Sequence, residues 1–396
     1  MNIDWTRELQ NYVRLDTSPS GVGYMQAIDY LVGITSNIEG LVYRVFIPQK
    51  YPILLITKPG LSKQSILLHS DVDVASVGLE TDNWKYSPFS GTYDKNDDCI
   101  YGRGTQSMKS QSIQYFAALH NLQNINPSKT IHLLFTTYGD NGGISTFIKS
   151  VDFIDLDVKF IITEGLVSPT KKYFVFYTER TLWKFNIIIN TTPGNVTMPM
   201  NNTCEIKLRK LLNIIADFRI RDAERGGKNK TNRRIGETTT INLTNLETIQ
   251  FGEILPNRLV ASFEMYIGKY TTEDEIMNEI KTWARIINDE VPNDENNNIK
   301  IDWIKKYYKS PTTDISNKMC EEFLRSLTNQ DIKYNVTISP GHSHASLFRN
   351  EGIPVLGFTP INNTPTLVHA NNEFVKKTQF LDNINLLTNI IKDLTF

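Results

Sequence analysis

The stretch Tyr101-Gly-Arg-Gly-Thr-Gln-Ser-Met-Lys-Ser110-Gln-Ser-Ile-Gln-Tyr-Phe-Ala-Ala-Leu-His-Asn-Leu122 contains a glycine-rich loop running directly into a helical pattern. Ile113, Phe116, Leu119 and Leu122 recur at three-residue spacing, which places them on one helix face. On either side lie short apolar runs ended by polar residues. Pro52-Ile-Leu-Leu-Ile-Thr57 and Ser65-Ile-Leu-Leu-His69 precede the loop, and Ile131-His-Leu-Leu-Phe-Thr-Thr137 and Phe160-Ile-Ile-Thr163 follow the helix. These runs predict buried strands. Strand–helix–strand alternation predicts an α/β layer around a largely buried mixed sheet. Functional side chains in such sheets gather at the carboxyl ends of strands. His69 to Asp73, Tyr138 to Asp140, and Glu164 all follow strand cores.

The pattern changes after Trp183. Lys184 to Asn190 reads as a strand and is followed by the turn Pro193-Gly194; a helix then runs from about Cys204 to Phe218. Arg219 to Arg234 reads as a basic loop, Thr238 to Leu243 and Leu259 to Tyr266 as strands, and Glu273 to Ile287 as a helix. The acidic, Asn-rich stretch Pro292 to Asn298 reads as a solvated loop. The chain then returns to the first pattern with Gly352-Ile-Pro-Val-Leu-Gly-Phe358 and a terminal helix.

The chain has 396 residues, 40% of them apolar, and a net charge of −1. That length implies two cores, and the charge balance points to neither a nucleic-acid nor a membrane partner. No apolar run reaches the roughly 18 residues of a bilayer span. The basic loop carries no interleaved aromatics and reads as surface. The polar start Met1-Asn-Ile-Asp-Trp-Thr-Arg-Glu8 lacks a secretory pattern, and Cys99, Cys204 and Cys320 are widely spaced and odd in number. Both features predict a cytoplasmic protein with free thiols. The Asn-x-Ser/Thr sites, such as Asn190 and Asn335, read as chance matches.

Ordered motifs through nearly the whole chain resemble the M20 zinc peptidases, the aminoacylase-1 group in particular. They include Ser65-Ile-Leu-Leu68, Trp84 with Pro88-Phe89, Gly102-Arg-Gly104, Met108-Lys109 and Gly142-Gly143. Glu164-Gly165, Val175-Phe-Tyr-Thr-Glu-Arg180, Gly357-Phe-Thr-Pro360 and Thr364-Pro-Thr-Leu-Val-His369 continue the register. The resemblance implies a catalytic-type α/β domain over 1–183 and 310–396, with a smaller α+β lid over 184–309 through which the protein dimerises.

The resemblance also implies a two-zinc site and a set of positions for it. Without a gap, Asp71 falls at the first ligand, a His of H-x-D in the family, and Asp73 at the acid behind it. A slip of two residues makes His69-Ser-Asp71 the H-x-D instead. Ser107 falls at the metal-bridging Asp, Gly139 at the general base, Asp140 and Glu164 at the next two ligands, and His369 at the last. In the lid, Asn195 falls at an intersubunit His, Glu253 at an Asn and Tyr266 at an Arg that meets the substrate carboxylate. Ser346 falls at a second such Arg. The nearby His342-Ser-His344 reads as a solvated turn, with a relocated ligand pair as the alternative.

A hydroxyl is a poor substitute for a bridging carboxylate on zinc, and glycine moves no proton. Loss of general acid–base help alone costs about 10²–10⁴-fold in rate. The expectation is therefore an aminoacylase-1-like binding or regulatory protein with little or no N-acyl-amino-acid hydrolysis. It would hold no zinc or one weak ion, and its partners would be an N-acyl amino acid and a second copy of itself. Two alternatives stay open. One is an active mononuclear hydrolase using His69, Asp140, Glu164 and His369; the other is an inactive subunit paired with an intact paralogue.

Overall fold

The structure, a computed structural model, describes residues 3–19, 23–48, 51–78, 83–137, 142–224, 235–248, 252–288 and 298–396. It divides into two compact units. The first comprises Met1–Thr178, Pro311–Thr337 and Ser343–Phe396; the second comprises Glu179–Ser310 and Ile338–His342.

In the first unit α1 (Trp5–Val13) begins at Asp4, whose carboxylate accepts the Arg7 N–H at the helix start. α2 (Tyr24–Thr35), β1 (Val42–Phe46), β2 (Ile53–Lys58) and β3 (Ser62–Asp71) follow, then β4 (Thr92–Asp94) and β5 (Cys99–Tyr101). α3 (Lys109–Asn121), β6 (Lys129–Thr136), α4 (Gly142–Phe147), α5 (Val151–Ile154), β7 (Val158–Thr163) and β8 (Tyr173–Glu179) complete the first pass. The second unit holds β9 (Thr181–Asn190), β10 (Gly194–Asn195), α6 (Cys204–Glu224), β11 (Thr240–Thr248), β12 (Ile254–Leu255), β13 (Arg258–Ile267), α7 (Glu273–Asn288) and β14 (Ile299–Lys306). The chain ends with α8 (Lys318–Asn329), β15 (Tyr334–Ser339), α9 (Ala345–Asn350), β16 (Val355–Phe358), β17 (Phe374–Lys376) and α10 (Lys377–Thr395).

The large sheet runs β1-β2-β6-β3-β7-β16-β8-β15 and is mixed. β3 pairs in parallel with β6 and β7, and β7 pairs in parallel with β16, whereas β1–β2, β2–β6 and β16–β8 are antiparallel. Because β3 lies between covered faces, Ser65 through Asp71 are all buried, and a near-continuous apolar run suits that position. Helix α3 does not bury a single stripe: Lys109 through Leu119 are all buried. The larger core cluster packs α1, α2, α3, α8 and α10 on one side of the sheet, and a smaller one gathers Phe147, Phe153 and Phe348 on the other.

The second unit is built on the sheet β11-β13-β9-β14, in which β9 and β13 alternate buried and half-exposed side chains. Helices α6 and α7 close the buried face around Trp183, Phe263 and Trp283. Two expectations change here. Arg219 to Glu224 extend α6 instead of opening a loop, and β14 adds a fourth strand through the alternation of Ile299, Ile301 and Trp303. Residues 225–234 and 289–297, the cores of the two expected loops, lie outside the described residues.

Candidate functional site

Three parallel strands bring their carboxyl ends to one level. Asp71 of β3 stands in register with Thr136 of β6, and β7 ends alongside them at Thr163. His69 and Asp71 are two residues apart on β3 and so share a face. Around them a chain of hydrogen bonds forms whose direction is set by the acid at its end. Asp71 Oδ1 accepts the Thr136 hydroxyl at 2.7 Å and also lies 2.9 Å from His344 Nδ1. Having donated its proton, Thr136 must accept from His69 Nε2, 2.8 Å away. His69 Nδ1 is then an acceptor, and the Thr163 hydroxyl donates to it at 2.8 Å.

Burial holds the His69 imidazole down to about 4, so it is neutral near pH 7 and this single tautomer accounts for all its partners. Burial works against ionisation of Asp71, but His344, His69 and Thr136 outweigh it and hold the carboxyl at about 2. His69, Asp71 and His344 are 0%, 6% and 1% exposed, and the Phe348 ring packs edge-on to His69. The His342-Ser-His344 turn is therefore not solvated as expected. His344 is sealed in this network, and the His342 ring lies 3.2 Å from Glu179 with its side chain almost fully buried.

The glycine-rich loop carries Ser107 to the start of α3, whose Ser112 hydroxyl lies 2.8 Å from that of Ser70 on β3. Gly104 takes φ +91°, and a Cβ there would meet Val74 Cγ1 at 2.6 Å, so any side chain would displace the loop. Arg103 donates to Glu373 Oε2 at 2.9 Å and to the carbonyls of Ala370 and His369 at 2.9 and 3.2 Å. Glu373 Oε1 accepts the Gln106 N–H at 2.7 Å. This buried latch joins the loop of Ser107 to the loop of His369. Lys109, fully buried, donates to the carbonyls of Tyr12 and Leu15 at 3.1 and 2.6 Å, and burial lowers its ammonium to about 7.

The expected site residues are distributed as follows. Ser107 is half-buried and joined to Met108 by a cis peptide. Asp73 lies just past β3 and Glu164 just past β7, both half-buried, while His369 is exposed at φ +64°. Gly139 and Asp140 fall outside the described residues. Ser346 is buried, and its hydroxyl donates to the Ser343 carbonyl at 3.0 Å. In the second unit Asn195 is exposed and its side-chain oxygen accepts from Thr197. Glu253 is also exposed, and Tyr266 sits one residue before the end of β13 with the Arg180 guanidinium over its ring.

Among the described residues, His69, Asp71 and His344 form a group whose ligand atoms all lie within 4.8 Å of one another; Glu164 and His369 stand outside it. Glu373 escaped the sequence reading, and His344 was read chiefly as part of a solvated turn. Glu373 carried a faint signal as an acid four residues after His369. His344 was visible as a residue, but its partner lies 273 positions away.

A family model described as Peptidase family M20/M25/M40 matches residues 67–393. Aminoacylase-1 of Sus scrofa is 28% identical over 394 residues, covering 97% of this chain and 94% of that protein. Aminoacylase-1 of Dictyostelium discoideum is 28% identical over 403 residues, covering 97% and 96%. The structure of human carnosine dipeptidase 1 superposes with a TM-score of 0.78 at 12% identity, covering 99% of this chain and 96% of that one, and so shares the fold. The model match spans most of the chain, and the sheet, the glycine-rich loop and the strand-end residues agree with it: the chain belongs to peptidase family M20/M25/M40 and is aminoacylase-1-like within it.

Proposed function

We propose that this chain is an M20-fold binding protein for N-acylated amino acids or close relatives, with amide hydrolysis lost or nearly lost. The observation that carries the reading is the state of Asp71. At the position where relatives are expected to present the first zinc ligand, this carboxylate is engaged by Thr136 and His344 inside a closed, buried network. Ser107 adds a neutral hydroxyl where a bridging carboxylate is expected, and zinc is held by imidazole, thiolate or carboxylate. The donor set therefore does not fit a dinuclear zinc centre, and no catalytic step is assigned to a metal.

The mononuclear alternative through His69 meets the same obstacle. Its Nε2 carries the proton given to Thr136, and its Nδ1 faces Thr163. The cluster of His69, Asp71 and His344 offers three ligands of two types suited to zinc, yet the Thr136 oxygen stands 2.8, 2.7 and 3.4 Å from their polar atoms. That oxygen takes the central place a cation needs.

Dimerisation through the second unit belongs to the same reading. β11 is an edge strand with Asn242 through Thr248 all exposed, Leu243 and Leu246 among them, and open edges of this kind favour pairing with another chain. The pairing copy is this chain itself or an intact relative; light scattering of the purified protein, alone and mixed with such a relative, separates the two. The function is tested by measuring zinc bound per chain and turnover of N-acetyl-L-methionine. We expect N-acetyl-L-methionine to bind with negligible turnover and substoichiometric zinc. One tightly held zinc per chain with turnover like that of a relative would sink the proposal.

A further inference from the structure

Arg180, at the start of the second unit, is only 6% exposed, so its cation is held almost entirely out of water. Its Nε donates to the Pro340 carbonyl at 2.7 Å, and its Nη1 donates to the Thr238 carbonyl at 3.1 Å and the Thr240 hydroxyl at 3.0 Å. The Tyr266 ring lies under the guanidinium, 5.2 Å from Cζ to centroid. Tyr266 is in register with Thr240 on one side and Leu182 on the other, so three adjacent strands fix this cradle. All the partners are neutral. Burial lowers the guanidinium to about 10, and Tyr266 acts in the opposite direction.

A guanidinium has five N–H donors. Three are taken, which leaves the two on Nη2. Among the described residues Nη2 has no hydrogen-bond partner, and it is not sealed from solvent. The contrast with Arg103 is direct: that guanidinium, equally buried, has Glu373 as its counter-ion. A buried cation without a counter-ion is costly unless an anion completes it, and a planar guanidinium with free N–H groups matches a carboxylate oxygen.

We propose that Arg180, seated on Tyr266, is the carboxylate-binding residue of the second unit, with the two Nη2 hydrogens gripping the carboxylate of the ligand. The choice of ligand class rests on the function proposed above; the anion site itself rests on the geometry of Arg180. Three strands rigidly orient the donor, so the site discriminates an acid from its isosteric amide.

Calorimetric titration of the full chain with N-acetyl-L-methionine and N-acetyl-L-methioninamide tests this in wild type, R180Q and R180K. In wild type the acid binds about tenfold to a hundredfold more tightly than the amide. R180Q brings the two affinities together, with the larger loss falling on the acid. R180K keeps the charge but loses the fixed fork, and shows an intermediate ratio; it also serves if R180Q does not fold. A full acid preference retained in either folded variant overturns the proposal. If neither compound binds wild type, the ligand class fails and Arg180 is judged by thermal shift at matched ionic strength. Succinate, but not chloride, then raises the wild-type melting temperature and leaves that of the variants unmoved. An equal response in wild type and variants overturns the anion site as well, and a larger one to phosphate overturns its assignment to carboxylates.

Discussion

Two buried pairs of oppositely charged residue types stand near the strand ends of the first unit, and they do different jobs. Arg103–Glu373 joins two loops, and each partner satisfies further groups: carbonyls of the His369 loop on one side and the Gln106 N–H on the other. His344–Asp71 faces inward, and its remaining contacts run through Thr136 to His69 and Thr163. The first pair holds a scaffold in shape. The second occupies the place where the family chemistry is expected and fills it with hydrogen bonds. A fold can therefore keep its fastenings while the groups they position change, because packing and site chemistry depend on different side chains.

The comparison is broken most directly at the latch. Glu373→Gln keeps the shape but leaves Arg103 buried without its counter-charge. Unfolding in urea should show a loss of about 3–5 kcal/mol; a loss below about 1 kcal/mol would mean that the pair is not what joins the two loops.

Acid sharpens the inward network next. The His69 imidazole falls from its ordinary 6.5 to about 4 in the folded chain, so the folded state resists a proton that the unfolded state accepts. Stability from this group is complete above pH 6.5 and lost as pH falls toward 4. The shift corresponds to about 3 kcal/mol. His132, similarly lowered by burial, adds a second loss over the same window. Comparing wild type with His69→Gln at pH 7.5 and 4.5 isolates the first contribution. An identical pH dependence in the two proteins would remove His69 from the account.

The smallest expected effect is at the middle of the network. Thr136→Val removes the acceptor for His69 and one donor to Asp71, at about 1–3 kcal/mol. Thr136→Ser, which keeps the hydroxyl, should stay close to wild type. Equal losses in the two variants would show that the methyl packing matters and the hydroxyl does not.

Much of the fold was legible because it repeats locally. The apolar runs at Ile53–Thr57, Ile66–Leu68 and Ile131–Phe135 correspond to strands, and α3 and α7 begin within a residue of their expected starts. Local spacing is less informative where burial surrounds an element. The residues of α3 outside the apolar stripe, including Lys109 and Gln111, are buried as well, and no one-faced pattern announces that. β14 went unread although Ile299, Ile301 and Trp303 alternate, since a short half-exposed strand beside an acidic run carries a weak signal.

The sequence by itself determined the alternation of strands and helices, the family, the hydroxyl at Ser107 and the missing side chain at Gly139. Each of these is a property of residue identity or of spacing along a few turns of chain. Only the tertiary structure decided that Asp71 meets His344, that Arg103 meets Glu373, and that Arg180 meets no acid among the described residues. The first two pairs are separated by 273 and 270 positions. Over such distances the partner of a side chain depends on which loops the folded sheet brings to the same end, and the periodicity of neighbouring residues does not encode that choice.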